Sequence, residues 1–478
     1  MKKTFTVFLL CLQLTAFGQA VFKPFEVESQ PEPQGGLPLL EKFIEVNRRM
    51  PYAAEVAGVK GTVYVSGIVG TDGRITGVQV VRSLHPACDR EAVRVLGLFN
   101  AWKPGQKGGK AVPVEFSYGI KFAPTRSGCA PGAITTYYSA DGKPVAEEAG
   151  AQYRLVLPVD SLGYPNAAPA LARRKGEAWK DMDNRFARRE KLETRYNYTN
   201  PNLPDSLRVR RISLLSVRNR LQGTQYVFYP SGALFATESY EDGQAVGTWL
   251  YYYPNGLVCQ ADEQLQGGGV REWHWYPNGQ LKQVGLRPER KDYELLNQWD
   301  AQGKQTVQNG SGPAKIVSRL GEMEWVTETG ALINRQRHGT WTGRRADGQL
   351  YYREEWDNGK FLRGTSYGLQ VDAITYDKPK IDAEFEGGLP GLGEFLTGNM
   401  SYPRDAARSN VEGKVAVSFV VCTDGSLCDY QVIQSVHPSL DEEAIRVVKE
   451  MNGKWKGGIL RGRPVRVKYN LPINFVLQ

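Results

Sequence analysis

The sequence predicts an α+β chain built from repeated parts. Two copies of a small α-β-β-α-β domain, each a three-stranded antiparallel sheet with two helices, flank an all-β repeat meander. Three observations predict this. The stretch SLHPACDREAVRVL at 83–96 returns as SVHPSLDEEAIRVV at 435–448. Turn glycines recur at Gly232, Gly256, Gly279 and Gly303. Glycine is abundant, 52 of 478 residues, alongside 24 Tyr and 10 Trp, which favours turn-rich β structure over helical bundles. A chain of this length is also too long for one ordinary core.

The N-terminus comes first. MKK is a short positive region, and TFTVFLLCLQLTAF is an apolar run of signal-peptide length. Gly18 and Ala20 are small residues that suit cleavage after either. The run is short and is interrupted by Gln13, so residues 1–20 read as a cleaved export signal rather than an anchor. No other stretch approaches 18 apolar residues, so no stable membrane span is expected after cleavage. The expected location is the periplasm or cell envelope. Net charge is +9, spread along the chain. It suits an anionic envelope or acidic partners, and without a zinc-finger, helix-turn-helix or RNA-binding motif it does not point to nucleic acid.

Five cysteines follow the leader: Cys88, Cys129, Cys259, Cys422 and Cys428. Export permits disulfides, and an odd number leaves at least one thiol free or intermolecular. Cys422 and Cys428 flank the turn TDGSL. With a three-residue loop over Asp424, Gly425 and Ser426 they lie opposite each other, and a disulfide between them is expected; two reduced thiols are the alternative. Cys88–Cys129 is a second candidate pair. Without paired CxxC spacing, and with four histidines in all, neither a metal nor a cofactor site is expected.

The duplicated domains span 33–123 and 384–478. Aligned without a gap, Gly35–Ala101 and residues 387–453 share 29 identities in 67 positions, and Trp102 meets Trp455 after one inserted residue. LLEKFIEVNRR and YAAEVAG read as short helices separated by Pro51. GTVYVSGIVGTDGRITGVQVVRS reads as a hairpin. Val415, Val417, Phe419 and Val421 alternate as a strand with one buried face, and Asp-Gly marks the turn. Asp89 and Asp441 fall where a helix N-cap belongs. Ala92, Leu96 and Phe99, like Ala444, Val448 and Met451, make one apolar stripe. AVPVEFSYGIKF and PVRVKYNLPINF supply a last strand.

These motifs in this order resemble the TonB C-terminal domain, in the version common in exported proteins of Bacteroidetes-type bacteria. The resemblance implies a periplasmic module that takes an extended peptide, the TonB box of an outer-membrane TonB-dependent receptor or a similar envelope protein, by adding it to a sheet edge. Carried over, the binding strands are Val465, Arg466, Val467, Lys468, Tyr469, Asn470 and Leu471, and more weakly Val112, Val114, Phe116 and Tyr118. The residues agree independently. A last strand that joins the outside of a hairpin is an edge, and Pro472 is tolerated there. The alternative is an edge merely blunted by Pro472, Arg466 and Lys468. Such edges can also pair two copies into a homodimer. The chain departs from an energy transducer in having a short leader and no Pro-rich spacer.

Residues 134–366 carry the other repeat. FYPSGAL, YYPNGLV, WYPNGQL and WDAQGKQ place their turn glycines 24, 23 and 24 residues apart. Each unit reads as a hairpin stacked on its neighbour. The pattern resembles MORN-type repeats and related repeats of antitoxin-like proteins. Its aromatics read as packing, with a ligand platform as the alternative. Within it, a basic, mixed-charge helix is expected near 167–196, packed by Leu171, Trp179 and Phe186. His85 with Asp89, and His437 with Asp441, invite a general-base reading. Capping explains them, and no nucleophile motif accompanies them, so the chain does not read as an enzyme. Two functions stay open: an adaptor that binds by strand addition, and an envelope scaffold that binds through its repeat surface with the terminal domains as fold only.

Overall fold

The computed structural model describes residues 20–477, apart from 127, 183–185, 197–203, 217, 290–291, 321–323 and 369–372. The apolar leader, residues 1–19, lies outside the described residues. Among the described residues no helix is long and apolar enough to cross a membrane. The chain divides into two compact units, Met1–Tyr196 with Ser206–Gln308, and Asn197–Asp205 with Asn309–Gln478.

The first unit opens with the N-terminal α-β-β-α-β domain. Helices Leu37–Asn47 and Tyr52–Val56 are separated at Pro51. Strands Gly61–Val69 and Ile75–Arg82 form the hairpin, helix Pro86–Gly97 follows, and Val114–Phe122 is the final strand. The sheet order places the final strand beside the first and leaves it at an edge. Ala92, Leu96 and Phe99 are fully buried, as the apolar stripe requires. The second unit repeats the arrangement with helices Gly388–Asn399, Arg404–Arg408 and Pro438–Glu450 and strands Gly413–Val421, Leu427–Gln434 and Val467–Phe475.

Three sequence expectations shift. The last strands begin later than expected: Val112 and Val465 belong to small separate hairpins, Gly105–Lys107 with Lys110–Val112 and Gly458–Leu460 with Arg463–Val465. The N-cap is His85 or His437, not the aspartate. Each ring Nδ1 accepts a backbone N–H, from Ala87 at 3.2 Å and Ser439 at 3.4 Å. Asp89 and Asp441 reach back instead to Ser83 and Ser435, each at 2.5 Å, and to the N–H of Leu84 and Val436. Both residues are thereby spent on local structure.

The helix expected near 167–196 is absent. Strands Ala170–Lys175, Ala178–Asp181 and Ala187–Tyr196 stand there. The charges of ARREKLETRY answer partners two residues along the strand or on the next strand rather than one helical turn away. Glu190 pairs with Arg188 and Arg210, and Glu193 with Arg195 and Arg211. These are period-2 and cross-strand pairs, the sheet counterpart of helical i,i+4 pairs.

The middle region forms three sheets, and in the ten-stranded sheet and the last six-stranded sheet the strands run in sequence order. A six-stranded sheet spans residues 129–181 and a ten-stranded antiparallel sheet spans 187–307, both in the first unit. A second six-stranded sheet, residues 312–376, lies in the second unit. The repeated turns have a physical cause. Gly232, Gly256, Gly279 and Gly303 all take φ between 76° and 87°, the left-handed region that favours glycine. Each turn tyrosine then bonds to the next repeat: Tyr229 Oη donates to Tyr252 O (2.6 Å), Tyr253 to Trp275 O (3.1 Å) and Tyr276 to Trp299 O (3.1 Å). This ladder sets the spacing of 23 to 24 residues.

Candidate functional site

The edge is built from the core outward. In the C-terminal domain, Val467–Phe475 pairs along its whole length with Gly413–Val421, from Val421 opposite Val467 to Gly413 opposite Phe475. Leu471, Ile473 and Phe475 are buried under the helices. Tyr469 packs edge-on against Trp455 at 4.9 Å and stacks with Phe419 at 5.6 Å. The strand is therefore rigidly held on one side.

Its other side is open. In an antiparallel ladder, successive residues turn their N–H and C=O alternately toward the neighbour and away. Pro472 has no N–H and sits opposite Ala416, so it marks the outward set, which is Lys468, Asn470, Pro472 and Asn474. All four are exposed. Among the described residues no backbone group pairs with this outer side.

The N-terminal domain differs at the same place. Phe22 forms a parallel bridge to Val114. Its N–H donates to Pro113 O at 2.9 Å, and its carbonyl accepts from Glu115 N–H at 3.0 Å. Lys23 pairs with Glu115, and Lys107 Nζ lies 4.2 Å from the Phe22 ring centre. At the far end Arg48 donates to Lys121 O. The equivalent of Arg48 in the C-terminal domain is Met400, which has no donor to offer. The equivalent of Phe22, ten residues before the strand pair that opens each domain (Glu32–Pro33 and Glu384–Phe385), is Ile374. It pairs with Ser366 in the repeat sheet instead.

Of the residues predicted for the site, Val467, Lys468, Tyr469, Asn470 and Leu471 lie on the final strand, and Lys468 and Asn470 face out. Arg466 precedes the strand and donates to Asp429 Oδ2 at 2.6 Å. Val114, Phe116 and Tyr118 lie on the N-terminal strand, with Val114 buried. Sequence reasoning missed Phe22, Lys23, Glu115 and Arg48. The internal identity starts at Gly35, so it could not reach the flanking segment.

The two thiols beside this edge are not directly opposite. Cys428 faces Val420, because the turn is closed by Cys422 N–H to Ser426 O at 2.7 Å. Their sulfurs nonetheless stand 2.8 Å apart. The hydrogen bond from Cys422 holds the Cys428 thiol above its usual range. Cys88 is buried and free, and Cys129 bonds Glu55 at 3.3 Å, so the Cys88–Cys129 pair does not form.

Each domain is anchored differently within its own unit. In the first unit the helices lie on the row of repeat turns. Asn47, fully buried, accepts from Val258 N–H at 2.7 Å, Arg49 stands over Tyr252 at 4.7 Å, and Asn100 N–H donates to Asn278 O at 2.8 Å. In the second unit an arginine of the small hairpin does this. Arg461, at the tip of the small hairpin, is buried on the Tyr352 ring at 3.6 Å. Its guanidinium bonds Glu354 at 2.8 Å and Glu328 at 3.2 Å. The corresponding tip of the N-terminal domain is Gly108.

Residues 46–124 and 398–477 both match the model of the Gram-negative bacterial TonB protein C-terminal. Each terminal unit is a TonB C-terminal-like domain. The matched stretches do not include the repeat strands, so the MORN likeness is not shown. Among solved structures, the NMR solution structure of the Helicobacter pylori TonB C-terminal domain is 24% identical. The alignment covers 18% of this chain and 91% of that one, with a TM-score of 0.16, which carries no structural argument. No curated protein matches the chain.

Proposed function

We propose that this chain is a non-catalytic adaptor of the cell envelope whose C-terminal TonB-like domain takes an extended peptide by strand addition. The partner class is an outer-membrane TonB-dependent receptor or a similar envelope protein. One observation carries the reading. Among the described residues the outer side of Val467–Phe475 is unpaired along its length, while its inner side is fixed by nine paired residues. Such an edge offers N–H and C=O groups that only another strand satisfies well. The likeness to the TonB C-terminal supports envelope transport as the setting. The rival, binding through the repeat surface, is less well supported: the turn tyrosines Tyr229 and Tyr253 are buried and bonded to carbonyls.

The test is calorimetric titration of the whole mature chain with extended N-terminal peptides from outer-membrane receptors of the same cell. Micromolar binding that Asn470→Pro abolishes is expected. Residue 470 faces out, so this proline removes an outer N–H and leaves the inner ladder intact. Val467→Pro would break the inner ladder and is a poorer probe. Binding that survives Asn470→Pro would refute the reading.

A further inference from the structure

Resting on strand addition as the mode of binding, we infer that the N-terminal segment of this chain is a built-in occupant of its own first edge, and that it specifies by charge complementarity what the second edge takes. The second edge should accept an extended peptide running parallel to Val467–Phe475, with an apolar residue followed directly by an acidic one.

The observed occupant is the dipeptide Phe22-Lys23. Phe22 makes both backbone bonds of a parallel bridge, and Lys23 meets Glu115, the first outward residue of the strand. Pro24 then starts a 3-10 turn that carries the chain away. The occupant therefore fills only the first position of the edge, and Arg48 closes the last. A peptide seeking the N-terminal edge must displace both.

The C-terminal edge has the same geometry with the side chains changed. Val467 stands for Val114, opposite Val421 as Val114 is opposite Val69. Lys468 stands for Glu115, so the charge that meets the second residue of the occupant is reversed. Leu460 stands for Lys107, so an apolar contact replaces the cation over the ring. The complement is an apolar residue followed by Asp or Glu. The chain's own segment, with lysine there, would be repelled. This keeps the mature N-terminus of one molecule off the C-terminal edge of another.

The test uses the whole mature chain and two extended peptides identical except for Phe-Glu or Phe-Lys at the bridging position. Wild type should bind one equivalent of the Phe-Glu peptide about fivefold more tightly than the Phe-Lys peptide at low salt, since an exposed ion pair is a modest and screened effect. Lys468→Glu should reverse the preference. Phe22→Pro with Lys23→Glu and Arg48→Ala, which removes the bridging N–H, repels Glu115 and frees Lys121 O, should raise the stoichiometry to two, the new site preferring Phe-Lys. Equal affinities in wild type and Lys468→Glu, with binding still lost in Asn470→Pro, would overturn the charge rule and leave strand addition standing. Absence of binding by either peptide to a folded chain would overturn both.

Discussion

The two TonB-like domains share a backbone and differ in what touches it. The N-terminal copy has its edge closed at both ends, by Phe22 and Arg48, and its helices laid on a row of repeat turns. The C-terminal copy has its edge unpaired among the described residues and is anchored through its hairpin tip, Arg461. Its Asn399 is exposed where Asn47 is fully buried. Duplication therefore preserved the fold while a few flanking residues divided the roles. The N-terminal copy has its edge capped, and the C-terminal copy, among the described residues, leaves its edge unpaired.

The anchor of the C-terminal copy gives the largest expected effect. Arg461→Ala leaves Glu328 and Glu354 with Arg337 as their remaining cation, beside the neutral donors Tyr352, Tyr376 and Trp356. Stripping one partner from a buried pair costs about 3–5 kcal/mol. Thermal unfolding of the variant should show a corresponding fall in Tm. If Tm is unchanged, Arg461 does not anchor the domain.

A second prediction concerns the turn row under the N-terminal copy. A Cβ at Gly279 would come within 2.9 Å of Phe43, itself fully buried, whereas a Cβ at Gly232 would meet nothing within 4 Å. Both glycines have positive φ, so both Ala variants incur that strain, about 1 kcal/mol or more. Gly279→Ala should cost a further ~1–3 kcal/mol from overlap. Equal losses in denaturant melts would mean that the helices do not rest there.

The ten-stranded sheet and the sheet at 312–376 also differ in charge balance. In the second unit Glu328 and Glu354 are met by Arg337 and Arg461. In the first unit Asp262 lies opposite Glu272, with His274 and Arg287 as the nearby cations. Burial pushes the Asp262 carboxyl up to about 6, and Glu272 adds to the rise, against Gln260, His274 and Arg287. The folded state thus binds this proton more tightly than the unfolded state, whose carboxyl titrates near the ordinary Asp value. The contribution of this carboxyl to stability should be greatest below about pH 4, fall as pH rises to about 6, and level off above it, a span of about 2–3 kcal/mol. Asp262→Asn should flatten this slope and raise Tm at pH 7.5 but not at pH 4. An unchanged slope would contradict it.

The smallest effect separates the two helix faces. Asn47→Ala removes a buried acceptor from Val258 and a donor to Phe43 O, a cost of about 1–3 kcal/mol. Asn399→Ala, at the exposed equivalent, should stay within about 0.5 kcal/mol. Similar losses in chemical denaturation would put a hidden partner on the C-terminal face.

What was legible in the sequence follows from what is periodic. Val415, Val417, Phe419 and Val421 alternate, Ala444, Val448 and Met451 form a stripe, and Asp-Gly marks the hairpin, so the domain fold and its edge strand could be read. The turn glycines gave the register of the repeats. The strands at 170–196 were misread because Arg188, Glu190, Glu193 and Arg195 look helical by composition. Their partners Arg210, Arg211 and Glu238 lie on strands much later in the chain. The closing of one edge and the opening of the other depend on Phe22, Arg48, Ile374 and Met400, single residues outside any repeat pattern. The Cys422–Cys428 register failed for a similar reason. Hydrogen bonding in the turn, not its length alone, set which residue faces which.

Amide hydrogen exchange on the whole mature chain, with and without a bound receptor peptide, tests the central claim most directly. Without peptide, Glu115 N–H should be protected by Phe22, and Lys468, Asn470 and Asn474 should exchange rapidly. With peptide, those three should become protected while Glu115 does not change. Protection appearing only in the repeat strands, with Lys468, Asn470 and Asn474 still exchanging rapidly, would contradict it.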